Sequence, residues 1–193
     1  MFLIGFNLDV NIFLKKPIML RNKLIQKVQN LDIEMDQLFN ELKGNSFETL
    51  NKKKDANTWS PIQILDHIIL SERLSLGYCK KKLSFDPKLK TANFRTWING
   101  RLISWSLQSP FKFKAPDVVT SDKLVAESEL GLIKEKWKAL RAELLAFIHN
   151  VPEKYIDKEV YKHPFGLRMS LNGMLDFYKS HFRRHRKQLR QRI

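Results

Sequence analysis

Residues 170–190 read SLNGMLDFYKSHFRRHRKQLR, and the spacing within this stretch decides the fold. Leu171, Met174, Leu175, Tyr178, His181, His185 and Leu189 recur at steps of three and four. That is the period at which side chains share one face of an α-helix. Ser170 is a good N-cap, and Met169 and Met174 have the spacing of a hydrophobic staple. The apolar stripe therefore runs directly into two histidines, one turn apart on the face to be buried. Arg183, Arg184, Arg186 and Lys187 fall largely outside that face. Burying an unpaired polar group is costly, so inward imidazoles need polar partners, and a shared metal ion would satisfy both.

Three more long stretches carry the same period. Residues 19–43 present Leu20, Leu24, Val28, Leu31, Met35, Leu38 and Leu42, with Gly44 as a stop. Residues 60–82 start sharply. Ser60 is the N-cap, Pro61 takes the first helical position, Gln63 completes a capping box, and Trp59 and Ile64 form a staple. Residues 128–149 present Leu130, Ile133, Trp137, Leu140, Leu144 and Phe147, with Pro152 just beyond. At 1.5 Å per residue these helices span about 33–38 Å, matched lengths that suit a bundle.

Residues 83–127 are too long for a tight antiparallel turn. They hold a short helix over 94–107 and a proline-bounded loop, Pro110 to Pro116. The expectation is an all-α four-helix bundle with one long crossover between helices 2 and 3. No strand-like alternation or internal repeat appears. Residues 1–18 are apolar but interrupted by Asn7, Asp9 and Asn11, and Lys15 and Lys16 follow the apolar run instead of preceding it. This fits neither a secretory signal nor a membrane span. It reads as an N-terminal appendage to one domain, 19–193.

A chain of 193 residues with 43% hydrophobic and 28% charged residues is large enough to bury a core without staples. Its single cysteine, Cys79, excludes an internal disulfide and any CxxC motif, which points to a reducing, cytoplasmic setting. Cys79 reads as a small buried residue. The net charge of +15 is clustered. Residues 80–101 carry seven basic groups against Asp86, and residues 179–193 carry seven with no acid. Residues 19–50 and 110–160 are close to neutral. Such clusters can attract a nucleic acid or another anionic partner. Phe94 and Trp97 lie in the first cluster and have the chemistry to stack on bases, but the favoured reading is that they pack the short helix onto the bundle.

His67 is the candidate third ligand, two turns inside the Ser60 cap and between Ile64 and Leu70/Leu74 on the helix surface. Three neutral imidazoles leave coordination positions open, as in catalytic sites and unlike closed structural ones. Imidazole suits zinc, nickel, iron and copper. The other histidines are weaker candidates. His149 lies at a helix C-terminus, and His163 lies in the loop His163-Pro164-Phe165-Gly166, where it reads as a loop residue. Glu72, one turn beyond His67, reads as a surface carboxylate. No Gly-rich phosphate loop, GxSxG or HExxH is present.

Trp59-Ser60-Pro61 followed by Asp66-His67 resembles the second-helix motif of the DinB/YfiT-like metalloenzyme superfamily. His163-Pro164-Phe165-Gly166, then Leu171, then His181-Phe182-Arg183-Arg184-His185-Arg186-Lys187-Gln188, is similar to its last-helix signature. The resemblance covers roughly residues 19–193. It implies an up-down-down-up topology and a metal held by His67, His181 and His185, with Arg184 and Gln188 at flanking positions. Family members include bacillithiol- or other thiol-dependent S-transferases and a mycothiol-dependent isomerase. Phe182 departs from the pattern, standing where many relatives have a small or acidic residue.

The leading expectation is thus a divalent-metal-dependent enzyme, with zinc or nickel as the metal. It would be a thiol-dependent S-transferase using a low-molecular-weight thiol, or a hydrolase. Its substrate would be small, and anionic if the basic clusters orient it. No membrane partner is expected, and the reading leaves room for a homodimer. One alternative is a basic helical protein that binds nucleic acid or an anionic partner. Another is a non-catalytic bundle whose metal site is structural or lost.

Overall fold

The computed structural model describes residues 6–56, 58–108 and 121–193. The described chain is mostly helical. Its helices are α1 (Phe6–Leu42), α2 (Phe47–Asn51), α3 (Pro61–Leu83), α4 (Phe94–Gln108), α5 (Leu130–Asn150) and α6 (Leu171–Leu189). The short strands β1 (Tyr161–Lys162) and β2 (Arg168–Met169) pair antiparallel in the hairpin before α6.

The caps form as their sequences require. Ser60 Oγ accepts from Gln63 N at 3.2 Å while Gln63 Oε1 accepts from Ser60 N at 3.2 Å, a complete capping box. Ser170 Oγ accepts from Gly173 N at 3.2 Å and opens α6.

Three features differ from expectation. The first helix begins at Phe6 and passes through Pro17, ahead of the expected start at residue 19. Proline removes one backbone hydrogen bond of the helical ladder and leaves the others, so the helix continues past it. Second, a short helix, α2, lies between the first two long helices. Ser46 caps it, accepting from Thr49 N at 3.2 Å, and Leu50 is buried. Third, β1 and β2 have two residues each, too few for alternation to be legible. The Pro110–Pro116 loop lies outside the described residues.

Cross-helix pairs give the packing. Between α1 and α6, Lys27 pairs with Asp176, Glu34 with Arg183 at 2.9 Å, and Glu41 with Arg190 at 3.0 Å, so the numbers rise together. They also rise together between α3 and α5: Asp66 with Lys136 at 3.2 Å, Glu72 with Arg141, and Lys80 with Glu143 at 2.6 Å. Between α1 and α5 they run oppositely: Arg21 bonds the carbonyls of Ile148, His149 and Val151, Asp32 meets Arg141, and Asp36 meets Lys134. They also run oppositely between α3 and α6, where His67 meets His181, Tyr178 Oη donates to Glu72 O at 3.1 Å, and Cys79 contacts Met174.

The expected stripes form the core. Val28, Met35 and Leu42 of α1, Ile133, Trp137 and Leu144 of α5, and Leu171, Met174 and Tyr178 of α6 are all buried. Ile148 is the buried residue of the last turn of α5, where Phe147 is only partly so. Among the described residues, no helix is long and apolar enough to cross a membrane.

The short helix α4 packs on α6 and β2, burying Thr96, Ile103 and Ser104. Phe94 and Trp97 do not face the bundle as expected. They are 72% and 56% exposed, and Trp105 is 71% exposed. Three-residue spacing fits either helix face, and the small and branched side chains of α4 are the ones that fit closely against α6.

Deep between α1, α3 and α5 lies an ion network. Glu72 is 1% exposed and Arg141 4% exposed; the two pair directly, and Arg141 Nε lies 3.4 Å from Asp32 Oδ1. The guanidinium carbon stands 3.8 Å from the centre of the Trp137 ring. Removing one partner of such a pair strands a buried charge. Arg141→Ala is therefore expected to cost about 3–5 kcal/mol in urea unfolding, and Glu72→Leu combined with Arg141→Met to recover most of that loss.

Candidate metal centre

His67 stands in the second turn of α3, and His181 and His185 in the second half of α6. Because α3 and α6 run oppositely, these positions meet. His67 Nε2 lies 3.1 Å from His181 Nε2, and His185 Nε2 lies 3.0 Å from His181 Nε2. One donor atom from each of the three lies within 4.8 Å of the others, and all three rings are buried. The Trp59 ring leans on His67 at 4.5 Å and on His185 at 6.4 Å, so the residue that staples α3 also walls the cluster.

Burial, with the neighbouring imidazoles adding to it, holds His181 far below the usual histidine range. Burial first, then His67, takes His185 down to about 3, against a smaller opposing effect of Gln188. These two rings are neutral at pH 7. His185 Nδ1–H donates to Gln188 Oε1 at 2.7 Å, which leaves its Nε2 lone pair facing the cluster. Three converging imidazole nitrogens cannot satisfy one another, since each contact needs one proton and one lone pair. Ligand nitrogens around a zinc–imidazole centre stand about 3.3 Å apart, and two of the three spacings here, 3.0 and 3.1 Å, are close to that, with all three atoms within 4.8 Å. The donor set fits a borderline divalent ion.

The cluster opens on a cavity of about 470 Å³, walled by α3, α4, α6 and the hairpin. Arg184 lines it and donates to Leu107 O at 2.8 Å. Most other basic residues of the last segment face α1: Lys179 and Arg183 meet Glu34, and Arg186 and Arg190 meet Glu41. Phe182, the departure from the family pattern, is wholly buried in the core.

The remaining candidates separate clearly. His163 belongs to the hairpin turn, as expected, and also lines the cavity, where burial lowers it to about 4. His149 is exposed. Cys79 is buried against Met174, and burial pushes its thiol up to about 12. Glu72 is neither a surface residue nor a base at the opening, because it is held by Arg141. Asp66, beside His67, accepts from Val125 N at 3.0 Å and pairs with Lys136, tying α3 to the crossover and α5. Ser71 and Ser75 follow His67 at four-residue steps, a signal that was available to find them. Tyr161 and Phe177 also line the cavity; Tyr161 comes from a strand too short for any periodic signal.

The three histidines thus come from two helices, His67 from α3 and His181 and His185 from α6. The comparison is specific: residues 31–189 match the model of the DinB superfamily, and the chain belongs to that family. It is also similar to the uncharacterized protein YuaE of Bacillus subtilis (strain 168), at 26% identity over 156 residues, 80% of this chain and 90% of YuaE. No solved structure matches the chain significantly.

The low histidine values fix a sign. Below about pH 6.5 the unfolded chain binds protons that folded His163, His181 and His185 refuse, so their contribution falls as acid is added. Asp32, raised by burial to about 6, opposes this below that pH but is one group against three. The melting temperature of the metal-free protein is expected to drop between about pH 7 and pH 5, read by calorimetry.

Proposed function

We propose that His67, His181 and His185 hold one divalent cation, zinc or nickel, in an up-down-down-up four-helix bundle. On this reading the chain is a metal-dependent transferase or hydrolase. The observation that carries it is the convergence of three buried imidazole nitrogens at the head of a cavity. The paired residues between α1 and α6, α3 and α5, α1 and α5, and α3 and α6 support the topology.

A divalent cation held there supplies Lewis acidity, lowering the pKa of a coordinated water or thiol. Three protein ligands leave room for that group. Gln188 fixes the tautomer of His185, and Trp59 shields two of the rings on one side. The chain's own thiol, Cys79, is protonated and enclosed, so a thiol nucleophile must come from a low-molecular-weight cofactor in solution. A cavity of about 470 Å³ suits a small molecule, and Arg184 and Lys162 on its wall favour an anionic one.

Elemental analysis is expected to find about one metal per chain, with added zinc or nickel raising the melting temperature. His67→Ala should abolish both effects. Gln188→Ala should weaken metal affinity by about 10–100-fold while the chain still folds. Wild-type protein without metal, unmoved by added zinc or nickel, would overturn the reading.

The exposed face of α4 favours a second reading, an anionic partner such as single-stranded nucleic acid. Phe94 and Trp97 stack at 5.5 Å with planes 19° apart, and Arg101 stands 5.9 Å from the Trp97 ring. Binding to an oligonucleotide should then fall steeply with salt and weaken in Trp97→Ala. Equal affinity for any polyanion would reduce it to nonspecific attraction.

A further inference from the structure

The cavity beside the three histidines has a fourth imidazole on its wall, and its hydrogen bonding is directional. His163 occupies a turn closed at both ends. Its backbone N donates to Leu167 O at 2.8 Å, and Gly166 N donates to its carbonyl at 2.8 Å. Gly166 has φ of 84°, the left-handed conformation that glycine adopts without strain. The His163 side chain is then fixed from within the turn, since its Nδ1 accepts from Phe165 N at 3.2 Å. A nitrogen that accepts carries no proton, so the neutral ring bears its hydrogen on Nε2. The ring stands edge-on to Phe177 at 4.8 Å and leans on Phe165 at 5.0 Å, so a flip would break its packing as well as its hydrogen bond.

Nε2–H has no hydrogen-bond partner among the described residues, although the residue is only 6% exposed. The nearby polar groups are committed elsewhere. Ser75 Oγ donates to Ser71 O at 2.8 Å, so the Tyr161 hydroxyl, 3.0 Å away, is the donor to Ser75 and does not donate into the cavity. Arg184 is directed toward Leu107 O. The residue lines the cavity, and its Nε2–H is not shut away from it, so an acceptor oxygen entering the cavity can complete its hydrogen bonding.

We propose that His163 is a functional histidine that binds no metal and donates its Nε2–H to an acceptor oxygen, carbonyl or carboxylate, of the substrate. The apolar body of that substrate lies against Leu74, Ile103 and Phe165, which line the same cavity. The inference rests on the metal-centre reading, because the acceptor would belong to a substrate held in the cavity that the three histidines also line.

The test uses the full chain loaded with cobalt(II), whose visible spectrum reports its ligands, titrated with benzoate as an apolar body carrying a carboxylate. His163→Phe keeps an aromatic ring against Phe177 and lacks the N–H; His163→Gln keeps a donor. Wild type and both variants should hold one cobalt each. The benzoate Kd should rise about tenfold in His163→Phe and stay within about threefold of wild type in His163→Gln. Long-range nitrogen–proton spectra of the metal-free wild type should show the Nε2–H tautomer, a readout that needs neither metal nor a folded variant.

An unchanged Kd in His163→Phe, an equal loss in both variants, a loss of cobalt on either substitution, or the Nδ1–H tautomer would each overturn the inference and leave the metal reading standing. Cobalt-loaded wild type that ignores benzoate would also overturn the inference alone. Wild type that takes up no cobalt overturns both.

Discussion

Three buried imidazole nitrogens each lie within about 3 Å of a neighbour at the edge of a cavity, and the rest of the structure has to hold them there. Neutral rings present lone pairs to one another, and protonated rings cannot be buried side by side. Such a cluster persists only where the backbone around it is over-determined. The opposed packing of α3 and α6 supplies that. Below the cluster, Tyr178 bonds the Glu72 carbonyl and Met174 packs on Cys79, so the two helices are pinned at successive levels. The Ser60 capping box fixes where α3 starts, and hence the turn on which His67 emerges.

The charge of the chain has a related role. Lys27, Glu34 and Glu41 on α1 meet Asp176, Arg183 and Arg190 on α6, each pair seven residues beyond the last. Seven residues are two helical turns, so these pairs form one seam between two helices running the same way. Each exposed pair contributes little stability by itself. Together they favour one register, because a shift by one turn would break all three. The basic last helix is therefore largely answered by the acidic face of the first. In the other basic cluster, 80–101, Lys80 is answered across helices by Glu143.

The legible parts of the molecule are those written as periodic stripes and caps. The four long helices, the starts of α3 and α6, and the histidine triad all followed from three- and four-residue spacing. In each case the apolar face and the buried face are the same object. The triad was legible because His181 and His185 continue a stripe that has to be buried. What escaped has no period: the hairpin with its two-residue strands, Tyr161 within it, and α2. Glu72 escaped for another reason. A lone carboxylate on a helix reads as solvated, and its burial depends on Arg141, whose position on α5 cannot be known until the helices are packed. The orientation of α4 was misjudged because its large aromatic side chains suggested burial, whereas the helix buries Thr96, Ile103 and Ser104 and sets Gly100 close to Gly173 of α6.

That division between periodic and aperiodic parts is also a division of labour within the site. The histidine triad sits wholly on α3 and α6, whose spacing is held by the core and the capping interactions. The facing wall comes from α4 and the β1–β2 hairpin, with Ile103, Leu107, Tyr161, His163 and Phe165 on it. Connecting segments of this kind tolerate changes in length and sequence that a packed helix does not. A donor set on rigid helices with a replaceable wall can keep one chemistry while changing what enters the cavity. The residues that choose the substrate are to be sought on the crossover and the hairpin, where His163 already presents a fixed donor.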